Sequence, residues 1–199
     1  MKRVITIIAL GLAAAVMSAQ TPKNVRYVFT EASDLNLIGK IIEGTPNPYH
    51  RVDTVRYKGF TKGENQKVRY SAGLAVLFKT NSTTISVKSV YGVCNAPTAN
   101  TMIASQGFDL YIKDGKDWKY AASGVNEESK KNANRVLIKN MDGKEKECML
   151  YLPMNSEMYS VKIGIQEGAY IEALESPFRH RIGIFGSSFT HGASATRPG

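Results

Sequence analysis

The residues with the clearest chemical potential form a short segment near the end of the sequence. An apolar run, residues 182–185, leads into Gly186, Ser187 and Ser188. An α/β sheet presents a nucleophile at such a place, because a buried strand points at a turn whose small residues let the backbone bend sharply. A helix after the turn would direct its positive end toward the reacting centre. The pattern predicts the first strand of an α/β enzyme domain followed by its nucleophile turn.

A serine hydroxyl becomes an effective nucleophile only when an adjacent base accepts its proton. The chain has three histidines: His50, His180 and His191. We interpret all three as surface residues, with His191 structuring the turn after Ser188, because no downstream Asp–His pair completes a triad. The 199 residues by themselves are therefore expected not to turn over substrate efficiently.

The elements upstream of this turn follow a period of two residues rather than the 3.6 of a helix. In residues 74–79, 85–90 and 161–165, every second side chain is predicted to face the core. This is the pattern of strands with one buried face. Together with the Gly, Asn and Pro residues between the strands, it predicts a mainly β domain, a jelly-roll-like β-sandwich.

Three dipeptides between apolar runs are predicted to be turns: Asn81-Ser82, Asp114-Gly115 and Asp142-Gly143. Asp-Gly supplies the positive φ angles that tight hairpins need, so each of these dipeptides is expected to join two neighbouring strands. Helical patterns are scarce. Residues 33–38 could form a short turn, and residues 126–134 a polar loop or one helical turn.

The N-terminus has the pattern of a Sec-type signal peptide. Lys2 and Arg3 form a charged region, residues 4–17 are apolar, and the small residues Ser18 and Ala19 follow. Cleavage is predicted after Ala19. The apolar stretch is too short to span the hydrocarbon of a bilayer comfortably. The mature protein is therefore expected to be exported to the periplasm or the extracellular space, without a membrane span.

The chain is basic, with a formal charge of +9 that becomes +7 when Lys2 and Arg3 are lost with the signal peptide. A basic chain can bind nucleic acid. Here the Lys and Arg residues are scattered among strand-like segments, and export removes most nucleic-acid roles. We therefore expect no nucleic-acid partner, whereas attraction to an anionic glycan stays open.

Cys94 and Cys148 are the only cysteines, in a compartment where a disulfide would persist. A bridge would close a loop of about 54 residues and contribute roughly 4 kcal/mol through chain entropy. Two buried thiols without a bridge are equally ordinary, and both alternatives remain open. Neither cysteine has metal-ligand spacing around it, and no metal or cofactor is expected.

Several ordered motifs resemble one known family. Residues 186–190 resemble the nucleophile block of the SGNH hydrolases, also called GDSL hydrolases. Gly107-Phe-Asp-Leu-Tyr111 resembles the Gly-x-Asp-Leu-Tyr signature of the N-terminal domain of many secreted SGNH esterases from gut-type bacteria. Further matching stretches are residues 47–53, 71–75, 78–82, 150–153, 185–192 and 195–199. The resemblance covers essentially the whole mature chain.

The resemblance implies that Ser188 is the nucleophile and that its backbone N–H forms part of the oxyanion hole. The family's other oxyanion donors, a Gly and an Asn, belong to later blocks. So does the Asp-x-x-His pair that supplies the base, and none of these blocks is present in the sequence. Ser187 stands where the broader family has Asp, which puts any role of that Asp in doubt, although Ser can make the same local hydrogen bond.

Two further features could contact a substrate. Asp109 could bind it directly, but the favoured interpretation is a buried hydrogen-bond acceptor that holds a neighbouring loop. Four aromatic residues could form a sugar-stacking platform: Trp118, Tyr111, Tyr120 and Tyr91. Aromatic residues of a β-sandwich more often belong to the core, so both interpretations are kept.

These patterns predict the N-terminal portion of an exported SGNH-type serine esterase that deacylates, in particular deacetylates, carbohydrate esters or another small ester. The predicted parts are a signal peptide (residues 1–19), a β-sandwich (20–176), and a linker with the start of a truncated hydrolase domain (177–199). Residues 178–199 are expected to be poorly ordered or loosely packed, with an exposed apolar strand. The alternative is a stand-alone carbohydrate-binding or adhesion module without catalysis.

Overall fold

The computed structural model describes residues 25–95, 101–126, 133–180, 182–192 and 195. The predicted signal peptide and most of the predicted loop at residues 126–134 lie outside them. Two antiparallel sheets make up most of this part of the chain. The first sheet contains, in spatial order, β1 (Tyr27–Glu31), β9 (Ser156–Gln166), β4 (Ile85–Cys94) and β7 (Arg135–Ile138). The second contains β10 (Ile171–Ala173), β3 (Ala75–Thr80), β8 (Lys146–Tyr151), β5 (Gly107–Asp114) and β6 (Asp117–Val125), with β2 (Asn36–Ile38) also paired to β3.

The main core lies between the two sheets and confirms the predicted period of two. In β3, Val76 and Phe78 are fully buried in the same apolar cluster as Val87 of β4 and Ile163 of β9. Leu77, between the two core residues of β3, belongs to a second cluster on the outer face of its sheet. Alternate side chains of a strand point to opposite faces, so one strand contributes to both clusters. The mainly β fold is confirmed, and the jelly-roll connectivity stays a prediction.

One of the three predicted hairpins is confirmed. Strands β5 and β6 pair from Asp114–Asp117 onward, and Gly115 takes a φ of 61° in the turn between them. The other two predictions are wrong, because Asn81-Ser82 joins β3 to β4 and Asp142-Gly143 joins β7 to β8, strands that lie in different sheets. A dipeptide determines only the local bend of the chain. Which of the two sheets the next strand joins depends on where that strand can bury its apolar side chains.

Short helices fill the connections. The predicted turn near the N-terminus is a 3-10 helix (Ala32–Asp34) followed by β2. Helix α1 (Lys62–Lys67) begins with a capping box: Thr61 Oγ1 accepts from the Glu64 N–H, and the Glu64 carboxylate accepts from the Thr61 N–H. This Thr-x-x-Glu spacing is a helix signal that the sequence analysis did not use. Helix α2 (Met102–Gln106) leads directly into β5.

The strand predicted over residues 182–185 is not formed. This segment has neither helix nor strand structure, and Ile182, Ile184 and Phe185 are 83%, 70% and 86% exposed. The predicted exposure of these side chains is therefore confirmed. A central strand needs neighbours on both edges and cover on both faces, and the described residues provide neither here. Among those residues no helix is long and apolar enough to cross a membrane.

Candidate functional site

The predicted nucleophile lies in a short segment, residues 186–192, which we call the nucleophile turn. It contains helix α3 (Ser188–His191), whose first residue is Ser188. Ser187 caps this helix, because its Oγ accepts a hydrogen bond from the backbone N–H of Phe189 at 3.4 Å. The helix is a single turn, and the Ser188 side chain is exposed to solvent.

The backbone path of the nucleophile turn requires glycine at both ends. A Cβ on Gly186 would lie 2.1 Å from Thr190 Oγ1 and 2.9 Å from Thr190 Cβ. Gly192 ends α3 with a φ of 80°, a left-handed conformation that glycine adopts without steric cost. The small residues recognised in the sequence therefore do set the bend, as predicted, even though no strand precedes them.

His191 connects the nucleophile turn to the sandwich. Its backbone N–H donates to the Ser187 carbonyl at 3.1 Å, and its Nε2 lies 2.9 Å from Asn155 Oδ1. The ring also meets the Tyr70 ring edge-on, with centroids 6.3 Å apart and an interplanar angle of 68°. His191 is thus half-buried and contacts the sandwich, which the interpretation as a surface residue missed.

Charges and burial around His191 favour its neutral form. Burial lowers the pKa of His191 below its ordinary value of 6.5, and the charges of Arg51 and Lys67 lower it further. A hydrogen bond with the Met154 backbone opposes these effects without reversing them. We call Arg51, Tyr70, Met154 and Asn155 the docking surface.

His50 also differs from the sequence-based interpretation as a surface residue, because it reaches a buried carboxylate. Its Nε2 lies 2.9 Å from Glu157 Oε1, and the side chain of Glu157 is only 1% exposed. Arg69 Nη1 approaches the same carboxylate oxygen at 3.3 Å. Burial lowers the pKa of His50, Arg69 and Lys40 add to the shift, and the Glu157 charge opposes it.

His50, Glu157 and Arg69 lie beside the docking surface in the fold. Glu157 forms an isolated backbone bridge with Tyr70, and its Oε2 accepts a hydrogen bond from the Val93 N–H at 3.1 Å. His180, by contrast, is exposed in the connection after β10. The structure therefore places two of the three histidines on one side of the sandwich. The described residues contain no group of three or more His, Cys, Asp or Glu side chains that could hold a metal.

No disulfide joins Cys94 and Cys148. Cys94 ends β4 in one sheet, whereas Cys148 is fully buried in β8 of the other. Burial raises the pKa of Cys148 to about 12, so its thiol stays protonated and unreactive at neutral pH. Of the two alternatives left open by the sequence, the structure shows the one without a bridge.

Comparison with known proteins supplies the family. Residues 25–171 match the family model GxDLY, described as the N-terminus of SGNH-hydrolase-type esterases. The chain belongs to the GxDLY family. No curated protein matches the chain significantly.

Two solved structures resemble this GxDLY chain. One is described as a "putative GDSL-like lipase" from Bacteroides ovatus ATCC 8483; it is 37% identical, with a TM-score of 0.81, and the match covers 87% of this chain and 50% of that protein. The other is the salicylyl-acyltransferase SsfX3 from a tetracycline biosynthetic pathway, 17% identical, with a TM-score of 0.52 and coverage of 76% and 42%. The second shows likeness of fold alone. The chain spans about half the length of the solved protein from Bacteroides ovatus.

The GxDLY signature itself lies at the start of β5, and its side chains point alternately to the two faces of the sheet. Phe108 and Leu110 are fully buried in the main core, whereas Asp109 and Tyr111 point to the outer face. A Cβ on Gly107 would lie 2.2 Å from the Ile103 carbonyl oxygen, because α2 turns directly into the strand. Asp109 is 2% exposed, which agrees with the predicted burial.

The predicted aromatic platform is only partly assembled. Tyr111 makes edge-on contacts with Tyr120 and with Tyr151, at centroid distances of 5.8 and 5.9 Å. Trp118 packs against the same outer cluster. Tyr91 lies elsewhere, in the main core on the other sheet, and its hydroxyl donates to the Gln106 carbonyl. The aromatic group therefore includes Tyr151 and excludes Tyr91. Both differences from the prediction depend on strand pairing, which the linear sequence does not show.

Proposed function

We propose that this chain carries the nucleophile of a serine ester hydrolase and that Ser188 is that nucleophile. Membership of a family found at the N-terminus of SGNH-type esterases supports this assignment. The observation that carries it is local. An exposed serine opens a one-turn helix between two positions, Gly186 and Gly192, where glycine is required.

The reaction would be acyl transfer to and from Ser188. Its Oγ attacks the carbonyl carbon of the ester, and the Ser188 proton passes to a base. The base then protonates the departing alkoxide, which leaves as the alcohol. Water adds to the acyl-enzyme and releases the acid. The backbone N–H of Ser188 would stabilise the oxyanion of each tetrahedral intermediate.

The base is proposed to come from an Asp-x-x-His pair, a pattern that does not occur in these 199 residues. The histidines near the sandwich have other contacts, since His191 contacts Asn155 and His50 contacts Glu157. His180 is exposed in the connection after β10. On this proposal the 199 residues alone hydrolyse esters poorly.

The proposed substrate is a carbohydrate ester, with an acetylated glycan as the leading example. Its support is the resemblance of the motif set to secreted carbohydrate esterases and the signal-peptide pattern of residues 1–19. The proposal includes export through that peptide, with no nucleic-acid partner, metal or cofactor.

The test uses the protein expressed from its complete gene, assayed on p-nitrophenyl acetate and on acetylated xylan. Ser188→Ala is expected to lower kcat by at least about 10³-fold, because the nucleophile itself is removed. The matched control is Ser187→Ala, which removes a neighbouring hydroxyl and a helix cap but retains the nucleophile. Full activity of the Ser188→Ala protein would disprove the assignment.

One observation favours a second candidate, a carbohydrate-binding module. Tyr120 is 58% exposed on the outer face of the second sheet, beside Tyr111, Tyr151 and Trp118. Aromatic faces stack on sugar rings, so this group could hold a glycan. Affinity electrophoresis of the chain in soluble glycans tests this function. Retardation that Tyr120→Ala abolishes would support it, and equal mobility with and without glycan would reject it.

A further inference from the structure

Among the described residues of the nucleophile turn, His191 is the side chain that contacts the docking surface. Every residue from 182 to 190 is exposed, whereas His191 is half-buried against the sandwich. His191 ends the same helical turn that Ser188 begins, and its N–H bonds to the Ser187 carbonyl. Whatever holds the His191 ring therefore also determines where the Ser188 hydroxyl lies relative to the sandwich.

The hydrogen-bond network assigns the direction of the His191 contact. Asn155 Nδ2 donates to the Ala104 carbonyl at 3.4 Å, which leaves Asn155 Oδ1 facing the imidazole. Because an amide oxygen only accepts, Nε2 of His191 must carry the proton and donate it. The edge-on contact with Tyr70 fixes the plane of the ring.

The docking surface is itself held by buried hydrogen bonds. The Asn155 carbonyl accepts from the Asn95 N–H at 2.8 Å, and Asn155 is only 6% exposed. Tyr70 is 1% exposed, and its carbonyl accepts from Arg51 Nε at 2.8 Å. These residues belong to the packed sandwich rather than to the exposed segment after it. A reacting group held by a rigid scaffold is placed more accurately than one on a free loop.

We propose that His191 and Asn155 are positioning residues, which hold Ser188 against the sandwich so that the sandwich forms one wall of the reaction site. This inference rests on the proposed function of Ser188. Misplacement of a reacting atom by about 1 Å can cost roughly 100-fold in rate. The GxDLY domain would then take part in catalysis through geometry, without supplying an acid, a base or a nucleophile.

The experiment measures steady-state kinetics of the protein expressed from its complete gene, on p-nitrophenyl acetate. His191→Ala is expected to lower kcat by roughly 10- to 100-fold with little change in KM, because the turn loses its anchor. His191→Gln is expected to restore most of the activity, since its amide N–H can donate to Asn155 Oδ1. His180→Ala, at an exposed histidine outside this contact, is expected to match the wild-type kcat.

Nuclear Overhauser contacts between the His191 and Tyr70 rings test the docking separately from activity. Active wild-type protein that lacks this contact would overturn the positioning role. An unchanged kcat in His191→Ala would also overturn it, as would failure of His191→Gln to restore a lost kcat. If the contact is present but the wild-type protein hydrolyses no ester, the proposed function fails, and the catalytic role fails with it. Thermal unfolding of each variant identifies any loss that comes from misfolding.

Discussion

His50 Nε2 lies 2.9 Å from Glu157 Oε1, deep in the side of the sandwich where the carboxylate is almost wholly shielded from water. Arg69 completes the charge balance at 3.3 Å, and the Val93 N–H donates to the other carboxylate oxygen. A buried carboxylate is tolerated only when such partners replace its hydration. The group therefore links the turn that carries His50 to strand β9, next to the residues that contact His191.

Removal of Glu157 should destabilise the sandwich strongly. Glu157→Ala leaves the Arg69 charge and the Val93 N–H without their acceptor, and loss of one partner from a buried pair costs roughly 3 to 5 kcal/mol. Urea unfolding followed by circular dichroism measures this free energy. The matched control is Glu172→Ala, which breaks the more exposed pair with Lys79 at 3.1 Å and should change the stability little, because water screens this pair. Equal losses in the two variants would contradict the interpretation.

Docking of the nucleophile turn should weaken as the pH falls. The pKa of His191 is lowered in the docked state, so the undocked state binds the proton more readily. The stabilisation is therefore complete above the ordinary histidine pKa of about 6.5 and is lost as the pH falls through the lowered value. Burial, together with the charges of Arg51 and Lys67, lowers the pKa of His191. The hydrogen bond with the Met154 backbone has the opposite, smaller effect.

An NMR titration of the His191 ring checks this pH dependence. The expected midpoint lies below 6.5, and the ring contact with Tyr70 should fade over the same pH range. The His191→Gln variant has no titrating ring at this position. The position of its nucleophile turn should therefore not change between pH 7 and pH 5. A His191 midpoint at or above 6.5 would show that the docked state does not disfavour the charge.

Gly186→Ala should impair catalysis without unfolding the sandwich. The new methyl group would meet Thr190 at 2.1 Å, and the Ser188 turn must distort to accept it. We expect kcat of the protein expressed from its complete gene to fall by about 10-fold or more, in line with the sensitivity of catalysis to small displacements. Gly183→Ala is the control, because the atoms nearest to its methyl group would be Ile41 Cδ1 at 3.2 Å and Phe185 Cε2 at 3.5 Å, farther away than Thr190 is at Gly186. Equal activity of both variants would argue against a required backbone path at Gly186.

Reduction should leave the stability of the protein unchanged, because no bridge joins Cys94 and Cys148. The melting temperature is expected to be the same with and without dithiothreitol. Cys148, whose pKa is raised to about 12, should react with Ellman's reagent only after unfolding in guanidinium. The Cys94→Ser variant isolates this thiol. A melting temperature that falls on reduction would indicate a disulfide and contradict the structure.

Much of the fold follows from local patterns. Alternation in residues 74–78, 85–87 and 161–165 identified strands whose inward side chains are buried. The Asp-Gly signal at residue 114 correctly predicted a hairpin, while the same dipeptide at residue 142 did not. The two Asp-Gly turns differ because β5 and β6 are neighbours in one sheet, whereas β7 and β8 lie in different sheets, on opposite sides of the core. Pairing across a core involves residues far apart in the chain, which a local signal does not contain.

The sequence by itself determined the mainly β class, the family signature, and the sharp turn between Gly186 and Gly192, because these depend on residue type and short spacing. Tertiary structure alone decided where the histidines lie. His191 meets Asn155 across 36 residues of sequence, and His50 meets a glutamate buried in a distant strand. Such contacts form because folding removes the polar groups from water and each must find a new partner. Which partner is within reach depends on the path of the whole chain.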